Sequence, residues 1–375
     1  MKFLQILFVY ILTILLLLLK TRQPFIPVDL TSMGQLYVVC SIVFILLNFR
    51  YIVSHKYRVL IILYFVLTMF SYQFIQHEPM SYVFTWSTPL FVAMCVEKKD
   101  SKYYKYLAYL LIAFFVLNAI TAFYERVTHS YIMPPEINDT VLNGQMNMYD
   151  KDIHAFRAFA LMGHPLTNAL FMTFSSFIIF YSSVVPDKVR IIVVVIGLSS
   201  LFCFNARAAL MIALLLFVPS FYYNIKHSTK YKLLTSLVVI VSMYFLFAKL
   251  SVIGGRLMNG ELLDESAMVR VATWELFCAI PFNELIYGGT RLPFSENGWI
   301  SILASFGLLI GGFKIFVELF LSVKLQTQSL SLFARLIISA SIIVLGNTNN
   351  ALEYPIAFPL YTTMVTIVLN NRCRS

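Results

Sequence analysis

The sequence predicts an all-α, polytopic integral membrane protein: a single membrane domain over residues 1–375 with two long extracytoplasmic loops. Three observations lead there. Charged residues make up only 12% of the chain, against about 25% in a soluble domain. So little charge cannot cover a soluble surface of this size, and lipid must cover it instead. Apolar runs long enough to cross a hydrocarbon layer of ~30 Å recur from one end of the chain to the other. The basic residues, finally, concentrate in alternate short loops, as cytoplasmic loops require.

The predicted spans follow in order. The first is 3–19, read as a retained helix rather than a signal peptide, because no small-residue cleavage site follows it before Lys20 and Pro24. Next come 35–49, 59–75 and 80–96, the last weakened by Trp86 and Pro89, then 104–123. After a long loop at 124–164 the spans are 165–185, 190–205, 207–224 and 233–250. A second long loop, 251–297, leads to 298–320, 331–347 and 355–370. That makes about twelve transmembrane helices. With both termini in the cytoplasm, the inner segments hold Lys2, Arg50, Lys56, Arg58, Lys98, Lys99, Lys102, Lys105, Lys188, Arg190, Lys226, Lys230, Lys232, Lys324, Arg335, Arg372 and Arg374. The net charge of +10 is then a topology signal and does not point to nucleic acid. The inner set is mostly lysine. The outer one, Lys20, Arg22, Arg126, Lys151, Arg157, Arg207, Lys249, Arg256, Arg270 and Arg291, is mostly arginine. Topology does not ask for arginine, but a planar, forked donor suits phosphate and pyrophosphate. No zinc-type cysteine spacing occurs, and only Cys203 and Cys278 fall where an outer disulfide could form.

Polar constellations cluster on the long loops and tight outer turns. Arg157, Gly163, His164, Pro165 and Asn168 lie where the first long loop enters the sixth span, placing His164 near a helix N-terminus, which suits anions. The bland alternative is a loop-to-helix junction with interfacial polar residues. Arg207, flanked by Ala206 and Ala208, sits in a very short turn and must reach water or an anion, or else snorkel. Residues 264–275 read as an amphipathic helix on the outer face, with Met268, Val271 and Trp274 apolar and Arg270 on the same side as Trp274. Residues 288–298 open the tenth span and carry Arg291, Ser295, Glu296 and Asn297. Ser295 is the expected helix cap with Glu296 in the first turn, and the functional alternative makes Glu296 a general base. Asp150, Asp152 and His154 form a D-x-D-x-H of a kind that can hold a divalent metal, but such pairs are common in polar loops, and no metal is assigned. Lys314 and Glu318, four apart in the tenth span, read as an intrahelical ion pair with the lysine snorkelling.

The order of these motifs is more specific than any one of them. R-x5-G-H-P-x2-N at 157–168 is followed by Ala-Arg-Ala at 206–208. A long loop with R-x3-W at 270–274 comes next, then E-N-G-x4-L-x3-G from Glu296 into a helix. In this the chain resembles the superfamily of O-antigen polymerases and O-antigen ligases, over roughly 157–312. The resemblance implies a GT-C-like membrane fold and a metal-independent glycosyltransferase without a cofactor. It would work in the bacterial inner membrane on undecaprenyl-pyrophosphate-linked oligosaccharide. By resemblance, Arg157, Arg207 and Arg270 bind pyrophosphate, Glu296 or His164 is the base, and Trp274, Arg291 and Asn297 line the substrate. Two departures stand out: Ala206 occupies a position usually Ser or Thr, and Glu296 stands where His is frequent. The implied function is a polysaccharide polymerase with membrane lipid and a chain-length regulator as partners. A ligase acting on lipid A core is the nearest alternative. A lipid-linked oligosaccharide flippase is the alternative of another class, which should carry charges inside several helices.

Overall fold

A computed structural model describes residues 2–19, 30–96, 105–132, 156–163, 165–181, 185–204, 209, 213, 265–290, 292 and 297–325. Among them the fold is all-helical, with no strand. The helices are α1 (Lys2–Leu18), α2 (Leu30–Leu47), α3 (Phe49–Ser54), α4 (Arg58–Phe70), α5 (Met80–Val96) and α6 (Lys105–Thr128). They continue with α7 (Pro165–Tyr181), α8 (Asp187–Cys203), α9 (Glu265–Cys278), α10 (Phe282–Tyr287) and α11 (Gly298–Leu325). A π-helical turn, Ser71–Ile75, prolongs α4. Among the described residues, three segments are long and apolar enough to cross a membrane: Arg58–Ile75, Tyr106–Thr128 and Gly298–Leu321. Large apolar side chains such as Val59, Leu63, Val66, Leu117, Ile120, Leu309 and Phe316 stay exposed along them, as lipid-facing positions do.

The spans predicted at 3–19, 35–49, 59–75, 80–96, 104–123, 165–185, 190–205 and 298–320 fall on these helices with shifted ends; those at 233–250, 331–347 and 355–370 lie outside the described residues, as does 207–224 except for Ala209 and Ala213. The second begins earlier, at Leu30, and the fifth runs on to Thr128 instead of stopping at 123. That extension keeps Glu125 and Arg126 on the helix, which matters below. The fourth span, weak in sequence, is the central helix: every residue of α5 from Val83 to Val96 is buried, and Pro89 lies inside it. A proline is tolerated there because neighbouring helices surround the backbone it disturbs. Helix α5 packs against α2, α3, α4 and α11. A second group forms where α8 packs on α6 and α7. There Gly197 lies so close to Ser176 and Phe115 that a side chain would collide with them, the small-residue contact that lets membrane helices approach.

The tenth span departs from a continuous helix. Gly307 within α11 has φ 78° and ψ 164°, a conformation open essentially to glycine alone. The helix therefore breaks into Gly298–Phe306 and a longer second half. The break is filled by the chain after α10: the Gly289 amide donates to the Ser305 carbonyl at 2.8 Å. A Cβ on Gly288 would lie 2.4 Å from the Gly307 nitrogen, so the two backbones touch directly. The Gln76 amide, just past the π-turn, reaches the same Ser305 carbonyl at 3.4 Å. Irregular backbone at membrane depth is tolerated only where protein satisfies it, and here glycine backbone and a glutamine do so.

Candidate functional site

Of the arginines expected to bind pyrophosphate, Arg157 is half-buried in the segment 156–163, which precedes α7. This segment is neither helix nor strand, so its amides need partners other than the usual ladder. Side chains of α6 and α7 provide them. The amides of Phe159 and Ala160 donate to one oxygen of the Glu125 carboxylate at 2.7 and 2.9 Å, and Ile132 donates to the other at 3.2 Å. The Leu161 amide donates to the Asn118 side-chain oxygen at 3.0 Å. Asn168 accepts from Met162 and returns a bond to the Phe159 carbonyl. Arg126 donates to the Phe156 carbonyl, and the Ala158 amide caps the end of α8 through the Cys203 carbonyl at 2.9 Å. Tyr131 stacks on Phe156 and meets Phe159 edge-on, with ring centroids 5.0 Å apart in each case.

Four consecutive amides, 159 to 162, are thus received by side-chain oxygens. Glu125 is 1% exposed, and its charge is balanced by charge-assisted donors within the protein. Ala160 is held at a positive φ of 42°, a strain that persists only where surrounding bonds over-determine it. Asn168, part of the sequence motif, is therefore a brace of this loop. Glu125 and Asn118, which motif reading missed, are the other braces. Their spacing of seven puts them two turns apart on one helix face, a signal present in the sequence.

Asn297 begins α11 from its N-cap position. It is buried, and its side-chain oxygen accepts from the amides of Trp299 at 3.1 Å and Ile300 at 3.2 Å, the geometry of an N-cap. Asn297, not Ser295, caps α11, and Glu296 precedes the cap instead of lying in the first turn. The helix expected around Arg270 forms as α9, which packs on α11. Within it Thr273 is buried while Val271 and Trp274 are exposed. The contacts above tie the segment that carries Arg157 to α6, α7 and α8, whereas Trp274 and Asn297 belong to a pair of packed helices. His164, Arg207, Arg291 and Glu296 lie outside the described residues, as do Asp150, Asp152 and His154; Arg270 is placed only as a position on α9.

Lys314 does not snorkel. Its side chain is 1% exposed and pairs with Glu318. It also donates to the Tyr64 hydroxyl at 3.0 Å and lies 3.3 Å from the centre of the Trp86 ring. Partners inside the protein replace the water that a snorkelling ammonium would seek. The described cysteines, Cys203 and Cys278 among them, are free thiols. Comparison with protein-family models returns no match, and comparison with curated proteins returns none either.

Proposed function

We propose that this protein is a polysaccharide polymerase of the bacterial inner membrane. In this reading the chain crosses the bilayer about twelve times in a GT-C-like arrangement with both termini cytoplasmic. The acceptor is a sugar hydroxyl of one undecaprenyl-pyrophosphate-linked repeat unit. Its oxygen attacks the anomeric carbon of a growing glycan carried on a second lipid. The bond from that carbon to the pyrophosphate oxygen breaks, and undecaprenyl pyrophosphate leaves with the electron pair. Glu296 or His164 takes the hydroxyl proton, while Arg157, Arg207 and Arg270 neutralise the leaving charge. Trp274, Arg291 and Asn297 line the substrate in the resemblance. The capping bonds of Asn297 also hold the start of the helix that follows Glu296 in the chain.

The observation that carries this reading is the braced loop bearing Arg157. Its amides are tied inward to Glu125, Asn118 and Asn168, so the arginine is presented from a fixed backbone, as preorganised charge stabilisation needs. The test is polymer synthesis in a strain lacking its own copy of the gene. Arg157→Ala should lower it by about ten- to hundredfold, the worth of a lost charge-assisted contact, with membrane accumulation unchanged. Normal synthesis by that variant would remove Arg157 from the mechanism. Sidedness is checked by reporter fusions: Lys99, Lys188 and Lys230 should read cytoplasmic, Asn143 and Leu262 extracytoplasmic. A flippase draws support from one feature, the ion pair buried inside α11. It would be favoured if lipid-linked repeats accumulated on the cytoplasmic face without the protein.

A further inference from the structure

Burying an ion pair in the interior of a membrane bundle is costly, and its retention asks for a reason. The surroundings of Lys314 and Glu318 indicate one. The Tyr64 hydroxyl donates to Glu318 at 2.6 Å and accepts from Lys314, so α4 is pinned to the second half of α11. The Lys314 ammonium also faces the rings of Trp86, Tyr64 and Phe306, at 3.3, 5.3 and 5.6 Å. These rings come from α5, α4 and the first half of α11. An ammonium among aromatic faces is held by their quadrupoles, and more strongly when desolvated. The Trp86 N–H in turn donates to the Tyr72 hydroxyl at 2.8 Å. Tyr72 belongs to the π-turn and packs edge-on against Phe306, beside the break at Gly307, with ring centroids 5.0 Å apart. One polar and aromatic chain therefore runs from Glu318 to the break, touching both halves of α11.

We infer that Lys314 and Glu318 are positioning residues. They lock the register of broken α11 against α4 and α5, and so fix the depth of its Asn297-capped start. This role rests on the polymerase reading. Apolar packing alone would not fix that register, because lipid tails are as apolar as the helices.

The experiment uses the full-length chain with its five native cysteines replaced by serine, and with Gln76→Cys and Ser305→Cys introduced. Oxidative cross-linking of that pair reports the register, and polymer synthesis per molecule reports activity. Lys314→Met leaves Glu318 unpaired and should accumulate poorly, so the decisive variant is Lys314→Met/Glu318→Leu, which removes both charges. It should accumulate like the parent, yet cross-link about fivefold less and lose synthesis in parallel. Lys314→Arg, which also stacks on an indole, should restore both. Parent-like cross-linking and synthesis in the double variant would overturn the proposal, as would lost cross-linking with full synthesis or the reverse. A parent that cross-links but makes no polymer overturns the polymerase reading and the positioning role with it, leaving the register lock decided by cross-linking alone.

Discussion

Two regions of this protein abandon regular helix, and they solve the same backbone problem with different means. The loop at 156–163 satisfies its amides with side chains, namely Glu125, Asn118 and Asn168. The break at Gly307 is satisfied mainly by other backbone, the amide of Gly289 meeting the carbonyl of Ser305. Side-chain bracing tolerates many sequences along the loop itself but concentrates its dependence on a few distant polar residues. Backbone bracing needs no special partner, but it makes glycine obligatory where the chains touch. The loop should therefore be sensitive at α6, and the break at its own residues.

The largest effect should come from the break. A Cβ at Gly307 would lie 2.2 Å from the Ile286 carbonyl oxygen and force a side chain into a glycine-only conformation. Gly307→Ala should accordingly fail to accumulate in the membrane, read by immunoblot against the parent. Normal accumulation would mean that the halves can rejoin. Glu125→Ala comes next. It orphans three amides at about 1–3 kcal/mol each, so synthesis should drop by about a hundredfold or more, with a lower Tm in detergent. Glu125→Gln keeps an acceptor and should lose clearly less; equal losses for the two would mean that charge, not the loop brace, matters. Arg207→Lys, outside the described residues, should lower synthesis by about ten- to hundredfold, nearly as much as Arg207→Ala. Lys249→Ala should do little. The smallest effect is expected from Asp150→Ala and Asp152→Ala, within about twofold, with activity surviving chelation; rescue of chelated protein by a divalent ion would favour a metal site instead.

The helices were legible because lipid imposes length and apolarity on each span, and even α5, discounted for Trp86 and Pro89, formed. What the sequence concealed was tertiary. Glu125 looked like the start of a loop, since two of its three partner amides, those of Phe159 and Ala160, lie more than thirty residues away. Gly307 closed a sequence motif without an assigned role, because the neighbours that demand glycine, Gly288 and Ile286, come from another element. Lys314 looked like an ordinary snorkelling lysine until Tyr64 and Trp86, some 230 to 250 positions earlier, closed around it. Of the candidate site, the Arg157 motif was readable as a junction, and only the structure shows Asn168 and Asn297 spent on bracing and capping.

The crossing of Gly288 with Gly307 also bears on how the chain enters the bilayer. The half-helix Gly298–Phe306 rises only about 13 Å, at 1.5 Å per residue, less than half of a hydrocarbon core ~30 Å thick. It cannot partition into lipid by itself during synthesis, whereas the run Gly298–Leu321 taken whole is long and apolar enough to do so. A straight rod would use the Ser305 carbonyl internally, whereas at the bend the Gly289 amide occupies it, so the bend at Gly307 depends on the docking of the chain that follows α10.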